Sequence, residues 1–272
     1  MITRALLLLL CTLACSPRKT ASVATPPTEP AAAEVRASTR TPSAAQRAIV
    51  AASDRLPDDT ALDEGRKPAE LLAFLDLQPG MRAADLIAGY GYTTELMARA
   101  VGPQGKVYAQ NNRFVREKFL EPAWTERLAL PQMANVQRLD TELDAPFPQG
   151  VHELDMVTMV LFYHDTYWQG VDRKAMNAAI FAALRPGGSY VVIDHSAREG
   201  DGAGAVQSLH RVEESLVRRE IEAAGFRLVE TADFLRNPAD TRDWDASPRA
   251  AHEAGKRGAS DRFALRFVKP PA

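Results

Sequence analysis

Between Arg82 and Asn112 the chain carries an apolar strand closing on Asp85, the turn Ala88-Gly89-Tyr90-Gly91-Tyr92, a helix, and a second strand, Lys106 to Ala109, ending in Gln110-Asn111. Two parallel strands need a crossover, and glycine admits the tight turn that leads a strand into a helix N-terminus, so this stretch commits the chain to a parallel βαβ unit. A strand, glycine turn and helix of this kind is the unit that holds an adenosine-bearing cofactor. The Gly-x-Gly pair alone does not choose among such cofactors. The dinucleotide fingerprint needs a third glycine where Thr94 stands, which argues against a nicotinamide-dependent oxidoreductase.

The chain has 272 residues, enough for one ordinary domain with some excess, and the excess lies at its N-terminus. Residues 1–15 read as a signal peptide, with Arg4 as the basic region, Ala5 to Leu10 as a short apolar run and Leu13-Ala14 as a small-residue exit. Thr12-Leu13-Ala14-Cys15 also resembles a bacterial lipobox, so a lipid anchor through Cys15 is expected. Residues 16–43 are crowded with Pro, Ala, Ser and Thr and read as a disordered tether, leaving 44–272 as the folded domain. These features imply an exported protein, periplasmic or membrane-anchored. Both cysteines, Cys11 and Cys15, fall in the leader, which excludes a cysteine nucleophile or disulfide in the domain. The formal net charge of −2 gives no reason to expect nucleic acid as a partner.

From Ala44 the pattern alternates helix and strand, which predicts an α/β fold: a Rossmann-like, doubly wound, mostly parallel seven-stranded sheet with helices on both faces. The expected strands are Arg82–Ile87, Lys106–Gln110, Asn135–Leu139, Leu154–Phe162, Ser189–Asp194, Arg227–Glu230 and Arg262–Val268. Leu154 to Phe162 is the most continuous apolar run and suits a central strand buried on both faces. Expected helices include Pro68–Leu77, one beginning at Thr93 or Thr94, one capped by Asp172, and Val212–Ala224 stopped by Gly225.

Over residues 60–268 the chain resembles class I S-adenosylmethionine-dependent methyltransferases. The Asp85…Gly89-Tyr90-Gly91 turn, Asp140 after the third strand, and Leu184-Arg185-Pro186-Gly187-Gly188 before the fifth carry the likeness. Tyr163-His164-Asp165, Asp194-His195 and Leu209-His210-Arg211 make it most similar to an uncharacterised bacterial group of predicted exported methyltransferases. The resemblance implies S-adenosyl-L-methionine as cofactor and a small-molecule acceptor as substrate. It assigns cofactor binding to Asp85, Ala88, Gly89, Tyr90, Gly91, Tyr92 and Thr93, ribose binding to Gln110 and Asn111, and adenine binding to Asp140. Two positions depart from the family pattern. Ile87 stands where a glycine is usual, and the neutral Gln110-Asn111 where a carboxylate is usual, weakening a ribose contact by about 1 kcal/mol.

Methyl transfer asks the protein to align a nucleophile and, for an alcohol or amine, to take its proton. Three of the five histidines, His164, His195 and His210, fall where strand ends and the next helix meet, beside Asp165 and Asp194. His164 is expected as general base or substrate orienter, Tyr163 and Asp165 as pocket walls, and His195 or His210 as a second polar group. No His-x-x-x-His spacing supports a metal site. Arg66-Lys67 is expected to be a solvated basic pair rather than an anion site; Trp124, Trp168 and Trp244, with Tyr167, lie in segments that could line an apolar substrate pocket, though ordinary packing is the commoner role of large aromatics. The methyl acceptor has no signature: Asn-Pro-Pro-aromatic is absent. A non-catalytic lipoprotein that uses the fold to bind a ligand or partner is the alternative.

Overall fold

The computed structural model describes residues 35–271, so the leader, Cys11, Cys15 and residues 16–34 of the expected tether lie outside the described residues. The described strands are β1 (Arg36–Ala37), β2 (Arg82–Leu86), β3 (Lys106–Gln110), β4 (Val136–Leu139), β5 (Leu154–Val160), β6 (Leu184–His195), β7 (Arg227–Ala232) and β8 (Arg262–Val268). They form one sheet in the order β1-β7-β8-β6-β5-β2-β3-β4. Pairing is parallel except for β8, which runs antiparallel to both β6 and β7. The α/β, mostly parallel, Rossmann-like architecture read from the sequence is therefore present, with one strand more than expected.

That extra strand corrects the reading of residues 35–43 as tether. Arg36 and Ala37 pair with Glu230 and Thr231 on the edge of the sheet. Arg40 Nε donates to Glu230 at 3.1 Å, and Ser43 caps the helix Ala44–Val50. A two-residue edge strand needs only backbone bonds and no apolar face, so hydrophobic periodicity could not reveal it.

Local sequence explains most element ends. Asp172 accepts from Ala175 N at 2.9 Å and so caps the helix Arg173–Ala183. The helix Pro68–Leu75 stops two residues early because Asp76 turns left-handed at φ 50°. The expected helix 212–224 contracts to Glu214–Glu222, because Val212 is drawn into a bridge with Ser196 and donates its N–H to His195 O. β5 pairs Leu154 with Leu184 and then Met156 with Ser189, so Arg185–Gly188 bulge out of β6 as the expected turn. Leu154, Val157 and Met159 of β5 are wholly buried, each contributing about 1.5–3 kcal/mol.

The polar segment after β7 is held by ion pairs. Arg211, fully buried, pairs with Asp240 at 2.8 Å and lies 4.8 Å over the Trp244 ring. Asp261 takes Arg242 at 2.7 Å and Arg236 at 3.3 Å, while Asn237 donates to Ala259 O. Arg211, Arg236 and Trp244 are thus framework residues. Their network anchors the loop that returns over the carboxyl end of β6.

Candidate functional site

The chain leaves β2 toward β3 on one side and β5 toward β6 on the other, so the β2/β5 border is the switch point where open α/β sheets hold ligands. A cavity of about 620 Å³ lies at these carboxyl ends. Its walls include Ile87 to Tyr90, Tyr92, Thr93, Leu161, His164, Asp165, His195 and His210, with Asp59 and Arg66 from the N-terminal segment and Ser247 to Arg249 from the polar loop. Among the described residues no group of three or more His, Cys, Asp and Glu side chains is arranged to hold a metal ion.

The glycine turn is built from the inside. Asp85 is buried and accepts from Thr94 Oγ1 at 2.7 Å and Thr158 Oγ1 at 2.8 Å. Burial pushes its carboxyl up to about 6, with the two hydroxyls and Arg66 acting in the opposite direction. Ile87, Gly89 and Gly91 all have positive φ, at 50°, 58° and 88°. Such a conformation is strained for a β-branched side chain, and Leu161 and His210, two further non-glycine residues on the cavity wall, share it. Three of the seven non-glycine residues with positive φ among the described residues thus stand on this cavity wall.

Gln110 and Asn111 are fully buried and do not line the cavity. Gln110 Oε1 accepts from Ile87 N at 3.1 Å while its Nε2 donates to Thr141 O, and Asn111 exchanges two hydrogen bonds with the Gly89 backbone, at 2.9 and 3.2 Å. These amides hold the turn open from behind, a task needing donor and acceptor on one side chain. A carboxylate has no donor. Gln110→Glu is accordingly expected to cost on the order of 3 kcal/mol, read as a lower denaturation midpoint at neutral pH, even though an acid stands there in the family pattern. At Gly91 a Cβ would lie 2.8 Å from the Trp124 ring and 3.1 Å from Arg127 Nε. Gly91→Ala should cost about 2–4 kcal/mol, combining left-handed strain and overpacking, measurable by thermal unfolding.

Asp140 is also turned away from the cavity: both its oxygens accept from Arg138 Nε, at 2.8 and 2.9 Å, on the protein surface. Tyr163 is wholly buried, its hydroxyl donating to Glu220 Oε2 at 2.9 Å and accepting from Asn177. The left-handed turn at Leu161 directs the following residues, so that Tyr163 packs inward while His164 and Asp165 reach the cavity.

The three histidines converge as expected, with His164 at the centre, its ring 5.7 Å from that of His195 and 5.5 Å from that of His210. His164 Nδ1 is 2.7 Å from Asp194 Oδ1, its Nε2 is 3.1 Å from Asp165 Oδ1, and its backbone N–H donates to Asp194 Oδ2 at 2.8 Å. Burial disfavours the imidazolium, but the two carboxylates outweigh it and raise the pKa to about 10. The expectation of His164 as general base meets a ring with no free nitrogen and a proton it does not release near neutrality. Its geometry is that of an orienting cation.

His195 has the opposite environment. Burial, reinforced by the charges of His164, Arg262 and Arg211, holds its pKa well below the ordinary range, so the ring is neutral. Its Nδ1 lies 2.7 Å from Ser260 Oγ, and its Nε2 makes no hydrogen bond among the described residues. When Ser260 accepts from Nδ1–H, the Nε2 lone pair is available to the cavity. His210 Nδ1 lies 2.9 Å from Asp245 Oδ1, outside good hydrogen-bond direction, and its Nε2 lies 4.0 Å from Asp165 Oδ1.

Several wall residues were not expected. The Arg66 guanidinium, read from sequence as a solvated cation, lies 4.4 Å over the Tyr92 ring and makes no hydrogen bond or ion pair among the described residues. It faces the cavity beside the helix Tyr92–Val101, whose first N–H groups have no intrahelical acceptor. Trp168 also lines the cavity, whereas Trp124 is wholly buried core. Phe114 and Phe119 join the wall from the segment after β3, a contribution that no motif or periodicity marks.

No known family profile matches the sequence, and no curated protein matches it. Solved structures do match. A SAM-dependent methyltransferase from Aquifex aeolicus superposes with a TM-score of 0.55 at 18% identity, covering 79% of this chain and 94% of that one. A candidate sarcosine dimethylglycine methyltransferase from Galdieria sulphuraria gives 0.55 at 16% identity, over 78% of this chain and 88% of that one. The [4+2]-cyclase SpnF gives 0.50 at 16% identity, over 76% and 85%. One fold thus carries proteins described by different reactions, as is general for widely used folds. On strand order, glycine turn and these superpositions together, the chain has the mixed α/β, Rossmann-like fold of class I methyltransferases.

Proposed function

We propose that the protein is an S-adenosylmethionine-dependent methyltransferase that acts on a small-molecule acceptor in the β2/β5 cavity. The observation that carries this reading is the joint presence, in one cavity, of the unpaired Arg66 beside a helix N-terminus and the neutral His195 beside the His164 cation. Arg66, with the N–H groups of Tyr92 and Thr93, fits the methionine carboxylate of the cofactor. The sugar end fits less well, because Gln110 and Asn111 spend their amides on the turn.

When bound, S-adenosylmethionine supplies a methyl group on a sulfonium for in-line displacement. The chain's own residues handle the acceptor. His195 Nε2 accepts its proton, Ser260 holds the tautomer that allows this, and His164, fixed between Asp194 and Asp165, holds Asp165 in place at the cavity wall. Isothermal titration of S-adenosylmethionine and S-adenosylhomocysteine into the purified protein tests the reading. Micromolar binding of either supports it.

The internal use of Gln110 and Asn111 favours one other reading, a non-catalytic lipoprotein that binds a different ligand in the same cavity. Failure of a folded protein to bind either compound would favour that alternative. We further propose that the protein is exported and anchored by a lipid on Cys15, on the strength of residues 1–15. Mass spectrometry of the mature N-terminus tests this: an acylated Cys15 is expected, and an unmodified terminus elsewhere overturns it.

A further inference from the structure

Four large apolar side chains are exposed among the described residues: Tyr90 at 52%, Phe114 at 39%, Phe119 at 59% and Trp168 at 39%. All four line the one cavity that also holds the histidines. Exposed apolar surface gathered at a concave site, rather than scattered, marks a binding surface. Phe114 makes T-shaped contacts with both neighbours, 5.9 Å from Phe119 with planes at 78° and 5.7 Å from Trp168 with planes at 82°. Each such contact covers one face of one ring only, and the exposure of all three side chains leaves aromatic surface that a flat guest can stack on.

The wall is tied to the proton-handling groups. Trp168 Nε1 donates to Asp165 Oδ1 at 2.7 Å, and the same oxygen is 3.1 Å from His164 Nε2. One carboxylate therefore positions both the aromatic wall and the imidazolium. A single small rigid molecule can lie against the wall while its polar substituent reaches the histidines.

We propose that the methyl acceptor is a planar phenolic compound, its ring held by Phe114 and Trp168 and its hydroxyl directed to His195. This rests on the methyl-transfer reading above. A phenol ionises near pH 10 in water, so it gains from a neutral base that takes its proton as the C–O bond forms. An arylamine attacks through its nitrogen lone pair without prior ionisation and gains less from such a base. In the step, the phenolic oxygen forms the new C–O bond while the sulfonium C–S bond breaks. The bonding pair of that C–S bond returns to sulfur to leave the thioether, and the phenolic proton passes to His195 Nε2.

The test is titration of naphthol, aniline and cyclohexanol into the purified protein saturated with S-adenosylhomocysteine, followed by calorimetry and tryptophan fluorescence. Naphthol is expected to bind about tenfold tighter than either comparison compound and to quench fluorescence. Phe114→Leu and Trp168→Leu should each weaken naphthol about tenfold while leaving S-adenosylhomocysteine affinity within a few fold. Equal affinity for the three probes overturns the phenolic acceptor and leaves the methyl-transfer reading standing. Loss of S-adenosylhomocysteine binding in the two variants also overturns it, by giving the aromatic wall to the adenine instead. If the parent protein, shown to be folded, does not bind S-adenosylhomocysteine at all, the methyl-transfer reading itself falls and the acceptor with it.

Discussion

His164→Ala is expected to cost about 3–5 kcal/mol of folding stability near neutral pH, a large fraction of what holds an ordinary domain together. Among the described residues the His164 ring is the only counter-charge bonded directly to the Asp194 carboxylate, which is wholly buried and otherwise accepts just backbone N–H groups of His164 and His195. Removing one member of such a pair strands the other. The pH dependence has a definite sign. His164 binds its proton more tightly folded, with a pKa near about 10, than unfolded, near 6.5. Its contribution is therefore complete below pH 6.5, declines as the pH rises, and is gone above about 10. Denaturation midpoints of the parent and of His164→Gln should differ most at pH 6 and converge by about pH 10. A difference that grows with pH would show that His164 is buried neutral.

His195→Ala is expected to lower kcat by about 10²–10⁴ without loosening S-adenosylhomocysteine, because in the proposed reaction its ring takes the acceptor's proton. Activity of the parent should fall on the acid side, where His195 gains a proton. The nearby His164 cation is one of the charges that depress the His195 pKa. Replacing His164 by Gln removes that charge, so the acid limb of the kcat profile should move to higher pH. An acid limb unmoved in His164→Gln, with His195→Ala still active, would take His195 out of proton transfer. Measuring the profile together with calorimetric affinity separates a lost base from a collapsed cavity.

Local patterns along the chain determined the sheet and most of the helices. The apolar run of β5, the glycine turn after β2 and the cap at Asp172 each act over a few residues, and interactions of that range are legible in order along the chain. The grouping of His164, His195 and His210 was legible too, because strand ends in a parallel sheet share one edge. Their roles were not. Which histidine is a held cation and which a neutral base depends on Asp165, Asp194 and Ser260, whose distances arise only when β5, β6 and the loop before β8 come together.

The same reason explains the other differences. Gln110 and Asn111 stand where a ribose acceptor belongs by position, and only the packed turn turns their amides onto Ile87 and Gly89. Tyr163 sits between cavity residues in sequence and points into the core in space. Phe114 and Phe119 are unremarkable in their own segment, and only tertiary packing joins them with Arg66 and Trp168 in one wall. Sequence by itself determined the fold and the edge of the sheet where a site could form, since these follow from backbone geometry and apolar periodicity. Tertiary structure alone decided which side chains face the cavity and which protons they carry, since burial and the field of neighbouring charges are properties of residues far apart in the chain.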